Sequence, residues 1–161
     1  MQNNLPLYAT CILSPDGNSG VNGLVKLIQQ GDYTTITATI NGLKKGLHGF
    51  HIHQFGNLTE GCKTAGPHFN PFNSTHGGPQ DTERHVGDLG NVETLEDGQT
   101  THFKIVDKLI KLDGLNSVLG RSFVIHADQD DLGKGNFEDS KTTGHAGARL
   151  ACCTIGLSGP F

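Results

Sequence analysis

The chain has no tryptophan, a single methionine and no apolar run approaching eighteen residues. A membrane-spanning helix needs about 20 consecutive apolar residues, so insertion into a membrane is not expected. Charge is also scarce: 12 Lys and Arg stand against 16 Asp and Glu, for a formal net charge of -4. A nucleic-acid binder is usually basic, and this balance argues against one. Met1–Thr10 lacks the basic start and continuous apolar run of a secretory leader, which leads to the expectation of a cytoplasmic protein. No internal repeat, linker or convincing helical periodicity interrupts the 161 residues, so residues 1–161 are expected to form one domain with one core.

What the chain does have is glycine, 23 in all, and short stretches of alternating character between turn signals. Strands are expected over Leu5–Ser14, Val21–Gln30, Tyr33–Ile40, Leu47–Phe55, Leu89–Leu95, His102–Leu112, Arg121–Asp128 and a closing segment LACCTIGL. About eight short strands and no helix predict an all-β fold, an eight-stranded antiparallel Greek-key barrel or sandwich. Two long loops, Gly61–Asn91 and Asp128–Arg149, are left over as the places where function has room.

The first loop carries three prolines, almost no hydrophobic periodicity, and His68, His76, His85 and Asp88. Three imidazoles and a carboxylate are enough to close a tetrahedral zinc site. Just before it, in LHGFHIHQF, His51 and His53 are two apart, so a strand would aim both at one face and Phe50 and Ile52 at the other. Two imidazoles on one face can chelate one metal ion. The four cysteines, Cys11, Cys62, Cys152 and Cys153, match no paired zinc pattern. They are either four buried small hydrophobes, the reading the residues favour, or include one protected disulfide.

The segments GFHIHQFG, GPHFNP, HGGP, ERHVGDLGN, HADQDDLGKG and GHAGARLAC, in that order and spacing, closely resemble the copper/zinc superoxide dismutases, and the similarity runs through nearly the whole chain. The resemblance implies an oxidoreductase of antioxidant defence with one copper and one zinc per subunit. Its copper ligands would be His51, His53, His68 and His126, and its zinc ligands His68, His76, His85 and Asp88, with His68 shared. It implies dismutation of superoxide in two halves, yielding dioxygen and hydrogen peroxide, with His68 taking up a proton and passing it to the developing peroxide. Asp130 would link His51 to His76, Arg149 would orient the anionic substrate, and Thr143 would narrow the channel opposite it.

The same resemblance implies a Cys62–Cys152 disulfide, leaving Cys11 and Cys153 as free buried thiols. It also implies a homodimer meeting through Gly56, Leu119, Gly120 and Leu157, and a copper chaperone for metal loading. The loop from Asp128 to Arg149 holds five acids against three bases, so steering by Glu138, Asp139 and Lys141 would have to come from placement, focused by the metals and Arg149. In many animal members the guiding lysine sits where this chain has Thr142. Asn57 and Phe137 depart from the family pattern, and His48, His102 and His145 receive no metal role.

Overall fold

The computed structural model describes residues 5–161, so Met1–Asn4, where the stretch expected to lack a leader begins, lie outside the described residues. Nine strands form: β1 (Leu7–Pro15), β2 (Asn22–Gln30), β3 (Tyr33–Asn41), β4 (Gly46–His53), β5 (Asp88–Thr94), β6 (Thr101–Asp107), β7 (Ser122–His126), β8 (Arg149–Thr154) and β9 (Gly156–Ser158). Eight of them run antiparallel in the order β5-β4-β7-β8-β1-β2-β3-β6, and the short β9 pairs with β1. Joining β3 to β6 and β4 to β7 across the sequence gives the expected Greek-key barrel. Its two ends approach without pairing, where the Thr94 and Thr101 hydroxyls meet at 2.6 Å. Among the described residues no helix is long and apolar enough to cross a membrane.

Period-two alternation builds the interior. Ala9, Cys11 and Leu13 of β1, Val25 and Leu27 of β2, and Ile36, Ala38 and Ile40 of β3 all point inward. At the centre Phe50 stacks on Phe123 at 5.0 Å and meets Phe103 edge-on at 5.6 Å. Strand β4 is buried on both faces: Phe50 and Ile52 enter the core, while His51 and His53 are covered by the long loops.

Three expectations need correction. The strand begun at His102 stops at Asp107, because the Asp107 carboxylate turns the chain by accepting bonds from the backbone N–H groups of Leu109 and Ile110. Ile110 and Leu112 are still buried, now from a loop. Two single-turn helices appear, a 3-10 turn at Cys62–Ala65 and α1 at Ser140–Thr143, both too short to announce themselves by periodicity.

The third concerns the cysteines. Cys11 and Cys153 are not free thiols; they form a second disulfide, with Cα atoms 5.5 Å apart, beside Cys62–Cys152 at 5.7 Å. Adjacent residues of a strand face opposite ways. Cys153 therefore points into the barrel toward β1, and Cys152 points out toward the turn at Cys62. The backbone seam between β1 and β8 has only two paired positions, Ser14 with Cys152 and Pro15 with Ala151, and the inner bridge crosses that seam.

Candidate metal centre

Strand β4 delivers His51 and His53, and the neighbouring strand β7 ends on His126. Register shifts lie beside two of these: between Gly49 and His51 against β5, and between Ile125 and His126 against β8. Such irregularities re-aim side chains. The loop between β4 and β5 brings His68 alongside His53, then His76 and His85, and Asp88 opens β5. The donor atoms of His51, His53, His68 and His126 lie within 4.8 Å of one another, as do those of His68, His76, His85 and Asp88. All seven residues are buried, and His68 belongs to both groups.

Each ring nitrogen has a place in this arrangement. His53 Nδ1 donates to the Gly66 carbonyl at 2.7 Å and His126 Nδ1 to the Gly147 carbonyl at 3.2 Å, which leaves their Nε2 lone pairs facing each other at 3.3 Å. His51 Nε2 and His76 Nε2 each lie 2.7 Å from one oxygen of Asp130, so both rings turn their Nδ1 atoms inward. Asp88 Oδ1 is approached by His68 Nδ1 at 2.9 Å, His76 Nδ1 at 3.0 Å and His85 Nδ1 at 3.1 Å. His51 Nδ1, His68 Nε2 and His76 Nδ1 are buried with no hydrogen-bond partner; the close approach of His76 Nδ1 to Asp88 lacks hydrogen-bond geometry.

Orphaned buried nitrogens are costly and need a reason. Here they are the atoms that converge on the two centres, and imidazole nitrogen with carboxylate suits copper and zinc. The residues therefore fit two metal ions on either side of His68.

The electrostatics agree with a site built for cations. Burial holds His51, His53 and His68 well below the usual imidazole range, and pushes His126 down to about 4. Neutral imidazole is the form that binds metal. Burial opposes charge on His76 too, but its hydrogen bond to Asp130 and the nearby Asp88 carboxylate outweigh it and raise this ring to about 9. Burial would raise Asp88, yet the three histidines gathered on it, His68, His76 and His85, hold it well below the carboxylate range.

Around these groups stands a supporting layer that sequence reasoning only partly found. Asp130, singled out from the sequence, is fully buried between His51 and His76. Asn91 was missed: its amide clasps the Asp130 backbone on both sides, at 2.7 and 2.9 Å. Arg84 was missed as well. Its guanidinium donates to the carbonyls of Pro79, His85 and Val86 and pairs with Asp107 at 2.7 Å, fastening the loop around His85. His48, given no metal role, bonds the His126 carbonyl at 3.0 Å and so steadies the strand that carries a donor. Only Arg84 had a local signal, its place beside His85; the partners of the others are far away in sequence.

Arg149 begins β8 opposite His126. Its guanidinium is half-buried and donates to the carbonyls of Cys62 and Gly66, each at 2.8 Å. The Cys62–Cys152 bridge fixes the turn that supplies those carbonyls, so the disulfide holds the arginine through the loop. Thr143 is exposed at the end of α1, and its hydroxyl donates to Asp139 at 3.2 Å. Glu138 is exposed, and the Lys141 amine is turned toward Gly133.

Comparison with known proteins agrees with this geometry. The family model described as copper/zinc superoxide dismutase matches residues 21–155. A curated relative, "Extracellular superoxide dismutase [Cu-Zn]" of Brugia pahangi, is 52% identical over 153 residues, covering 93% of this chain and 76% of its own. That relative overturns the cytoplasmic expectation, and four cysteines all engaged in disulfides suit a reducing compartment poorly. Half identity across nearly the full length, with the family match beneath it, means that the chain belongs to the copper/zinc superoxide dismutases and converts superoxide to dioxygen and hydrogen peroxide with copper and zinc.

Proposed function

We propose that His51, His53, His68 and His126 hold the copper, that His68, His76, His85 and Asp88 hold the zinc, and that one imidazole, His68, serves both. The observation that carries this assignment is the pair of His68 nitrogens, Nδ1 aimed at the Asp88 group and Nε2 buried without a partner toward the other. Copper supplies the one-electron redox change and zinc, which has none, fixes the geometry.

The chain's own residues do the rest. Arg149, half-buried beside His126, binds and orients the superoxide anion through its guanidinium. Thr143 narrows the approach, which favours small anions. Asp130 orients His51 and His76 together, so the two metal sites share one carboxylate as well as one ring. His68 Nε2 holds a proton between the two half-reactions and passes it to the peroxide product.

Glu138, Asp139 and Lys141 shape the field at the entrance, against a net charge of -4 that would otherwise repel the substrate. We further propose a single domain over 1–161 that pairs as a homodimer through Gly56, Leu119, Gly120 and Leu157. Leu157 is 68% exposed, and Gly56 is pressed against the Gly120 carbonyl, so the two loops that carry these glycines lie side by side. A copper chaperone would load the copper. Metal analysis and a superoxide assay on one preparation test the assignment: His126→Ala should remove copper and activity while zinc stays, and loss of zinc alone would refute it.

A further inference from the structure

We propose that Phe137, Asp139 and His145 form a brace that sets the position of Thr143 and thereby tunes entry of superoxide to the metal centre. The proposal rests on the reading of Thr143 as a wall of the channel.

The helix that carries Thr143 has four residues, too few to hold its own shape. On its inner side it is tied to the metal loops: His76 N–H donates to the Lys141 carbonyl at 2.9 Å, and Asp131 N–H donates to the Gly144 carbonyl at 2.8 Å. Gly144 closes the helix at φ 71, and a Cβ there would collide with Asp130 Oδ1, so the backbone lies directly on the carboxylate between His51 and His76.

The outer side has no core to rest on, and the brace takes its place. The Asp139 carbonyl accepts from the N–H groups of Thr142 and Thr143, at 3.1 and 2.8 Å. Its carboxylate divides between the Thr143 hydroxyl at 3.2 Å and His145 Nδ1 at 2.6 Å. His145 sits at φ 54, a left-handed conformation uncommon away from glycine, and its ring lies flat on Phe137 with centroids 3.6 Å apart and planes 6° from parallel. Phe137 is 56% exposed in a charged loop; covering the imidazole is the use its position gives it. Phe137, which departs from the family pattern, and His145, left without a role by the sequence, are thus parts of one unit.

The unit also carries charge. The groups facing the imidazole are Asp139, at the start of α1, and Glu138 beside it in the same hollow, while the nearest lysine, Lys141, turns its amine away toward Gly133. The His145–Asp139 bond occupies that carboxylate at the entrance, where this chain has Thr142 in place of a lysine.

The test uses the metal-loaded protein with His145→Ala, Phe137→Ala, Thr143→Ala and the His145→Ala/Thr143→Ala double variant. Copper and zinc content and the superoxide rate constant are measured at low ionic strength. Both metals should be retained throughout. His145→Ala and Phe137→Ala should each slow the reaction, roughly twofold or more, because Thr143 is no longer held in place. The double variant should be no slower than Thr143→Ala, because the brace acts through that residue. A wild-type rate for His145→Ala, with Thr143→Ala slowed, overturns the brace and leaves the channel reading standing. A slowed His145→Ala with Thr143→Ala at the wild-type rate refutes the channel reading and overturns the proposal with it.

Discussion

Replacing Cys11 and Cys153 together by alanine removes the covalent link across the sparsely paired seam between β1 and β8. The bridge spans 142 residues, but the Cys62–Cys152 bond already short-circuits 90 of them, so subtracting the second from the first leaves a ring of about 52. Closing a ring of that size in the unfolded chain is worth about 4 kcal/mol in the chain-entropy model. For a domain of this size each kcal/mol moves the melting midpoint by about 2–4 °C, so the metal-free double variant should melt roughly 8–16 °C lower. Both sulfurs sit in the apolar core away from the metal donors, so the loaded variant should keep its activity per bound copper. Denaturant unfolding of metal-free wild type and variant measures the difference directly. A loss below about 1 kcal/mol would refute the view that this bond, rather than the two backbone pairs, closes the seam. A thiol count on the denatured wild type should find no free cysteine; two would refute the inner bridge itself.

Three further outcomes follow from the site. Arg149→Glu should leave both metals bound and lower the rate constant by about tenfold or more, since a repelling charge replaces the only guanidinium beside His126; an unchanged rate would remove its guiding role. Asp130→Asn should weaken zinc retention roughly 10- to 100-fold, because His51 and His76 each use one oxygen of Asp130 and an amide leaves only one of them an acceptor. Equal zinc affinity would count against that linkage. In the metal-free protein, His51, His53, His68 and His126 have folded values below the unfolded one, so their contribution is complete above pH about 6.5 and is lost as pH falls below it, for His126 down to about 4. His126 alone accounts for on the order of 3 kcal/mol of that loss. His76, raised to about 9, acts in the opposite sense: its contribution is complete below about 6.5 and fades as pH rises through 9. Metal-free stability should therefore peak near pH 6.5, and a monotonic rise from pH 4 to 9 would contradict these assignments.

The metal centre was legible because its chemistry is written in local spacing. His51 and His53 two apart on a strand, and His68, His76, His85 and Asp88 in a loop with nothing else to bury, carry their meaning before any fold is known. The barrel was legible for the same reason, through alternation such as that of Thr34, Ile36, Ala38 and Ile40. What could not be read depends on contacts between distant segments. Whether Cys153 meets Cys11 is decided by the register of β8 against β1, and Arg84 finds Asp107 only once the loop around His85 has closed over β6. The end of β6 was missed because a side chain, Asp107, does the work of a turn that no Gly or Pro signals. The expected compartment failed for a different reason: it was inferred from the first ten residues, while the bonds that bear on it join Cys11, Cys62, Cys152 and Cys153.

Anomalous diffraction from crystals of the loaded protein, recorded at the copper and zinc edges, separates the two ions by element. One zinc peak among His76, His85 and Asp88 and one copper peak among His51, His53 and His126, with the His68 ring between them, is the expected result. A single peak, or a His68 ring that reaches only one of two, would contradict it.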